Sequence, residues 1–197
     1  MAEIKSTMEL VLERAARMGK ASSEEIARGE AEKNGMQIVA AYLDGKGDPP
    51  SQALAGQEPE QQESVRKGMV DALLRNIFLP RDEHALKRTE QATRGCIDLA
   101  GGAGDIVSMC QEMQHVIGQY QQHREQLRSQ LEEQMRMQYE QLLAQQMGGR
   151  TDGIQIDPTT QPKFQEEWGR VEAELDNQYN QALSQYKEQL RQRMMAS

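Results

Sequence analysis

A long stretch without helix breakers restricts this fold more than any other feature of the sequence. No proline occurs between Asp105 and Pro158, and Gly118 is the only glycine after Asp105 and before Gly148. Apolar residues recur every three or four positions along the stretch, as on one face of an α-helix. The sequence therefore predicts one helix of about 40 residues, on the order of 60 Å long. Its apolar stripe consists of Ile106, Cys110, Met113, Ile117, Tyr120, Leu127, Leu131, Met135, Tyr139 and Leu142.

A second long helix is predicted over residues 161–195. Its stripe consists of Phe164, Trp168, Val171, Leu175, Tyr179, Leu183, Tyr186 and Leu190. Glycines separate the two helices and predict a tip loop over residues 147–161, in which residues 154–157 form a short extended segment. Two long helices with matching periodicity and a short connection fold back as an antiparallel hairpin. We therefore expect residues 105–197 to form a long, coiled-coil-like helical hairpin.

The first 104 residues are predicted to form a short helical head. Its four predicted helices cover residues 6–20, 22–43, 61–79 and 83–100, the second beginning at Ser22 or Ser23. Ser6 with Glu9, and Ser22 with Glu25, match the capping-box pattern of a helix start. The first helix has a narrow apolar stripe that needs a partner. That stripe consists of Ile4, Met8, Val11, Leu12 and Ala15.

Prolines and glycines set the other boundaries of the head. Residues 44–60 are dense in both and are predicted to be a mobile linker. Pro80 stops the third helix, which is apolar around most of its C-terminal circumference and should be buried. Asp82 is placed to cap the fourth helix. Gly29 and Gly35 weaken the second helix, so it is either interrupted or dependent on tertiary contacts.

Composition indicates a thin core. Hydrophobic residues make up 37% of the chain and aromatic residues 4%, with a mean hydropathy of −0.80. Of the 26 glutamines, 20 lie between Gln111 and Gln192, where they fill the faces beside the apolar stripes. These faces are either a solvated surface or a surface for a partner. Because the seam of the hairpin is long and thin, we expect a homodimer.

Charge and cysteine usage exclude several classes of protein. The net charge is −8, with −4 up to Asp105 and −4 after it, so neither half offers a basic surface for nucleic acid. No apolar run is long enough to span a membrane. The N-terminus lacks the pattern of a secretory signal, and Cys96 and Cys110 are too few for a disulfide framework. We therefore expect a cytoplasmic protein.

Three motifs are candidates for chemistry, and none predicts a catalytic, cofactor-binding or metal site. Glu112 and His115 have the Glu-x-x-His spacing of di-iron bundles, but the second such pair is missing from the sequence. The glycine-rich residues 101–105 lack the lysine and the strand of a phosphate loop and predict a turn between helices. Cys96 and His115 have no orienting group nearby in the sequence and predict a packed thiol rather than a nucleophile. Trp168, Tyr179 and Tyr186 have the spacing of seam residues.

Three segments carry a resemblance to a known family. They are residues 1–14, the run Leu73-Leu-Arg-Asn-Ile-Phe-Leu-Pro-Arg-Asp82, and the glutamine-rich helix followed by Ile154-Gln-Ile-Asp-Pro158. The chain resembles a family of small helical proteins of unknown function from anaerobic bacteria. The resemblance implies a cytoplasmic bacterial protein and transfers no functional residue.

The sequence thus predicts an all-α, non-enzymatic interaction protein that acts as a scaffold, adaptor or assembly factor on protein partners. One alternative is a chaperone-like holdase, or a stalk component of a larger complex, that uses the tip loop. Another is a metal-dependent helical enzyme built on Glu112 and His115.

Overall fold

The computed structural model describes residues 7–146 and 157–196. The protein is all-α, and none of these residues lies in a β-strand. The six helices are α1 (Thr7–Leu43), α2 (Pro50–Ala55), α3 (Gln62–Arg75), α4 (Glu83–Leu99), α5 (Gly104–Gln146) and α6 (Pro162–Met195). A short 3-10 turn at Pro158–Thr160 precedes α6, and the Asp157 side chain caps it by accepting a hydrogen bond from the Thr159 amide. The predicted fold class is therefore confirmed.

The first two predicted helices are one helix. The prediction of a break near residue 21 was wrong, because α1 continues from Thr7 to Leu43. The second capping pattern falls inside this helix, where the backbone N–H groups already donate to carbonyls four residues earlier. No proline stands near that point to end the helix. The first capping pattern begins at Ser6, which lies outside the described residues.

Helix α1 packs closely against α3 through two glycines. A methyl group added at Gly68 would overlap the Glu32 carbonyl oxygen and lie 2.7 Å from the carbonyl carbon of that residue. A methyl group added at Gly35 would lie 2.9 Å from the backbone nitrogen of Met69. Each helix thus places a glycine against the backbone of the other. Of the two alternatives that the sequence left open for the second predicted helix, the structure at Gly35 therefore agrees with dependence on a tertiary contact.

The segment predicted to be a mobile linker contains a helix. Residues 50–55 form α2, which contacts both α1 and α3. Pro50 is buried at the first position of α2, where proline is favoured because that residue needs no hydrogen-bond donor. The Ser51 amide donates to an Asp98 carboxylate oxygen at 2.8 Å, and the Asn34 side chain donates to Gln57 at 2.9 Å. The mobile linker is therefore corrected to a packed connection.

Helix α3 ends at Arg75, four residues before the predicted end. The Asn76 side chain bonds the Ala72 carbonyl oxygen at 2.8 Å and so caps the last turn before Pro80 is reached. The predicted burial of this helix is confirmed by six residues with at most 1% exposure: Val65, Met69, Val70, Leu73, Leu74 and, just beyond the helix, Ile77. Asp82 caps α4 as predicted, since its carboxylate accepts a hydrogen bond from the Ala85 amide at 2.7 Å.

The chain forms two compact units. The first comprises the described residues up to Asn76, then Gln91–Ile106 and residues 191–196. The second comprises Ile77–Glu90 and the described part of Val107–Leu190. The boundaries of these units differ from those of the predicted head, residues 1–104, and hairpin, residues 105–197. The reason is that α4, α5 and α6 each contribute residues to both compact units.

In the second unit α5 and α6 contact each other in antiparallel order. His123 contacts Tyr179, and Met135, later on α5, clusters with Phe164 and Trp168, which come earlier on α6. Leu142 was predicted to lie in this seam, but it is 52% exposed, whereas Leu143 is half-buried. The coiled-coil detail stays a prediction. The tip loop and the extended segment at 154–157 lie almost wholly outside the described residues.

Candidate functional site

A buried tyrosine anchors a polar network between α5 and α6. Tyr120 is fully buried, and its hydroxyl donates to an Asp176 carboxylate oxygen at 2.7 Å. The other carboxylate oxygen of Asp176 accepts a hydrogen bond from Arg81 at 2.8 Å. Burial, and then the hydrogen bond to Asp176, raise the pKa of Tyr120 to about 12. This side chain is therefore a neutral donor at ordinary pH, and it holds the helices in one register.

Two further polar pairs continue the network along the same helices. Tyr179 contacts His123 Nδ1 at 2.6 Å, and its ring meets the Tyr120 ring edge-on at 5.6 Å. Arg124 forms a 2.8 Å ion pair with Glu172 and lies 5.8 Å from the Trp168 ring centre. Each polar group in this series has a protein partner across the helix pair. The series therefore specifies which positions of α5 and α6 meet.

A groove of about 430 Å³ opens beside this network. It is lined by Pro80, Arg81, Asp82, Glu83, Leu86, Gln121, Arg124, Glu125 and Arg128. Arg81 and Arg124 are committed to Asp176 and Glu172, and within the described chain Arg128 has only the Trp168 ring, 6.0 Å away. Three cations and three carboxylates line the groove, so its charge selects neither an anion nor a cation.

The N-terminal half of α1 has an exposed apolar face. Met8, Val11, Leu12 and Ile26 are 73%, 62%, 63% and 60% exposed. At about 100° per residue, these four positions fall on one side of the helix. The buried positions farther along α1, residues 31, 35, 39 and 43, centre on the opposite side, where α3 packs. Helix α3 therefore does not cover the apolar face.

The sequence indicated part of this face. It predicted that the stripe from Ile4 to Ala15 needs a partner, but it missed Ile26, because the first helix was predicted to end at residue 20. We call the face carrying Met8, Val11, Leu12 and Ile26 the α1 apolar face.

The Glu112 and His115 motif does not assemble a ligand set. Both side chains are exposed on α5. Across residues 7–146 and 157–196, no group of three or more His, Cys, Asp or Glu side chains is arranged to hold a metal ion. The structure therefore adds nothing to the metal-enzyme alternative.

The cysteines and the glycine-rich residues have structural surroundings. Cys96 and Cys110 are buried thiols with at most 1% exposure and form no disulfide, and burial raises the pKa of the Cys110 thiol to about 11. A thiol so held is a poor nucleophile, since the thiolate is the reactive form. Gly101 and Gly102 have φ of 62° and 74°, and the Gly102 amide closes the end of α4 on the Ile97 carbonyl oxygen. The glycines therefore make a turn between helices.

The aromatic side chains of α6 and the arginines near its C-terminal end make contacts within a single unit. Trp168 is buried, whereas Tyr179 and Tyr186 are half-buried on α6. Arg191 pairs with Asp71 at 2.8 Å, and Arg193 pairs with Asp105. The sequence could not pair these arginines, because it shows nothing of partners that are distant along the chain.

These features define an all-α protein with a structural polar network and an exposed apolar helix face. No described helix is long and apolar enough to cross a membrane. The chain belongs to a family of unknown function, DUF6657, whose model matches residues 51–192. The matched range includes the polar network and begins after α1. No curated protein and no solved structure matches the chain.

Proposed function

We propose that this protein is a non-enzymatic interaction protein, a scaffold, adaptor or assembly factor, that binds protein through the α1 apolar face. The observation that carries the proposal is the exposure of Met8, Val11, Leu12 and Ile26 on one side of a helix whose other side packs on α3. Isolated helices are marginal in water, and an amphipathic helix gains most of its stability from packing its apolar side. An exposed stripe of this kind therefore favours a protein ligand.

The interior of the second unit agrees with this proposal. The polar side chains of its network pair with one another, and the groove beside them is lined by equal numbers of cations and carboxylates. The proposal assigns no catalytic, cofactor-binding or metal-binding role to any residue. We place the protein in the cytoplasm of an anaerobic bacterium, as the family resemblance implies.

A comparison of two leucine variants tests the proposal. Leu12→Glu adds a charge to the α1 apolar face, and Leu142→Glu makes the same change on α5 at a position 52% exposed. Each tagged full-length variant and the wild type would be used to capture protein from the native cytoplasm, with mass spectrometry as readout. The proposal expects a protein captured by the wild type and Leu142→Glu but lost from Leu12→Glu. Equal capture by all three would overturn the role of this face.

A further inference from the structure

We propose that the groove beside the polar network binds a free α-amino acid with an aliphatic side chain. The groove has a volume of about 430 Å³, which is within the range of small-molecule sites. All the residues that line it lie in the second unit, and none lies on α1. The inference therefore goes beyond the proposed function and does not rest on it.

Four of the six charged side chains that line the groove already have partners. They are Arg81, paired with Asp176; Arg124, paired with Glu172; Glu83, paired with Lys87; and Asp82, which accepts from the Ala85 amide. The other two are Glu125 and Arg128. In the part of the chain that the structure describes, neither has an ion-pair or hydrogen-bond partner. The groove therefore offers one unpaired carboxylate and one unpaired guanidinium group to a ligand.

Glu125 and Arg128 are three positions apart on α5, but they do not pair with each other. Glu133 and Arg136 have the same order and spacing on the same helix, and they do form an ion pair. Arg128 differs because its guanidinium group lies 6.0 Å from the centre of the Trp168 ring. The ring attracts the guanidinium group and holds it away from Glu125. The two unpaired charges are therefore kept apart, so that a ligand can contact both.

The apolar part of the groove is formed by Pro80 and Leu86. A second hollow, of about 230 Å³, shares Leu86 and Gln121 with the groove and extends it to Ile117 and Gly118. Apart from the adjoining residues and backbone of α5 itself, no described atom lies within 4 Å of a methyl group added at Gly118. The extension therefore has room for an aliphatic side chain.

An aliphatic α-amino acid matches each of these features. Its ammonium group pairs with Glu125, and its carboxylate pairs with Arg128, since a guanidinium group can hold a carboxylate through two parallel hydrogen bonds. Its side chain lies against Leu86. A simple anion would leave Glu125 unpaired beside a like charge, and a simple cation would do the same at Arg128. The equal numbers of cations and carboxylates therefore favour a ligand that carries both charges.

Titration of the full-length protein with L-leucine tests the ligand class. Calorimetry gives one readout, and the fluorescence of Trp168, the only tryptophan of the chain, gives another because its ring lies beside Arg128. Isocaproate, which lacks the amino group of leucine, and isoamylamine, which lacks the carboxylate, should each bind about tenfold more weakly, because each loses a charged hydrogen bond.

N-acetyl-leucine amide represents a peptide chain without either charge, and it should bind more weakly still. The inference is overturned if leucine changes neither the heat nor the fluorescence up to its solubility limit. It is also overturned if any of the three analogues binds as tightly as leucine.

Neutral variants test the two unpaired charges. Glu125→Gln and Arg128→Gln should each weaken leucine binding about tenfold, because each removes one charged partner of the ligand. Arg136→Gln is the matched control, since Arg136 is a cation on the same helix that does not line the groove. Circular dichroism checks that the three variants keep their helix content. Equal affinity of Arg128→Gln and Arg136→Gln for leucine would overturn the inference.

A pair of glycine variants tests where the side chain lies. Outside their own helices, Gly118 and Gly169 both have no described atom within 4 Å of an added methyl group, and only Gly118 lines the extension of the groove. Gly118→Leu should fill the extension and abolish leucine binding, whereas Gly169→Leu should bind leucine as the wild type does. Wild-type affinity in Gly118→Leu would overturn the inference.

Discussion

The contact between α1 and α3 in the first unit and the contact between α5 and α6 in the second are made by different atoms. At the first, Gly35 and Gly68 bring each helix against the backbone of the other. At the second, long side chains meet, as Tyr120 bonds Asp176 and Arg124 pairs with Glu172. A backbone contact leaves no room for an added atom, whereas a side-chain contact can adjust. The two contacts should therefore respond very differently to small substitutions.

The largest effect is expected for Gly68→Ala. The added methyl group overlaps the Glu32 carbonyl, so α1 and α3 must separate. Overpacking of this kind costs about 3 kcal/mol, and the better helix propensity of alanine returns only about 1 kcal/mol. Urea denaturation followed by circular dichroism should show a clear fall in the free energy of unfolding. An unchanged midpoint would show that the close approach is not needed.

The next effect is expected for Tyr120→Phe in the second unit. The ring and its packing are kept, but Asp176 loses the donor at 2.7 Å. Leaving a partly buried carboxylate oxygen without its donor costs about 1–2 kcal/mol. Tyr139→Phe is the matched control, because Tyr139 is half-buried on the same helix. Equal losses for the two variants would contradict a specific role for the Tyr120 hydroxyl.

The same hydroxyl predicts a loss of stability at alkaline pH. The pKa of Tyr120 rises from 10.0 to about 12 in the folded protein, so the unfolded chain ionises first. This contribution is complete below pH 10 and is lost as pH rises to about 12. Burial raises the pKa of Cys110 from 9.0 to about 11, and that contribution is lost in the same direction. Unfolding midpoints measured from pH 8 upward should fall less for Tyr120→Phe than for the wild type.

The smallest effect, with opposite sign, is expected for Gly118→Ala on α5. Apart from the adjoining residues and backbone of α5 itself, no described atom lies within 4 Å of the added methyl group, so only helix propensity changes. Alanine is favoured in a helix interior by roughly 0.5–1 kcal/mol, and the variant should be more stable than the wild type. The same substitution of glycine by alanine is therefore expected to lower the free energy of unfolding at position 68 and to raise it at position 118. Destabilisation by Gly118→Ala would mean that the second unit also has a backbone contact at this position.

Local patterns predicted the elements whose signals lie within a few residues. The helical course of α5 and α6 follows from apolar spacing without breakers, and the start of α4 follows from Asp82, whose carboxylate caps the Ala85 amide. The same reasoning divided α1 and made a mobile linker of residues 44–60. For residues 44–60 a local signal was present, but contacts with distant residues, such as Ser51 with Asp98, decide what the segment does.

The candidate site shows the same difference between what local patterns predict and what distant contacts decide. Apolar spacing at Met8, Val11 and Leu12 indicated a face in need of a partner, but the sequence could not show that α3 packs on the other side. Nor could it pair Tyr120 with Asp176 or Arg81 with Asp176, which are 56 and 95 positions apart. Residue spacing contains no information about which of many carboxylates a buried hydroxyl will meet.

The sequence by itself determined that this protein is all-helical and where most of its helices run, because helix formation depends on propensity, breakers and a periodic apolar face within one segment. Only the tertiary structure decided that two glycines, Gly35 and Gly68, bring α1 against α3. It also decided that the apolar N-terminal face of α1 is left exposed. Those outcomes depend on which surfaces meet, and that is set by the shapes and partners of residues far apart in the chain.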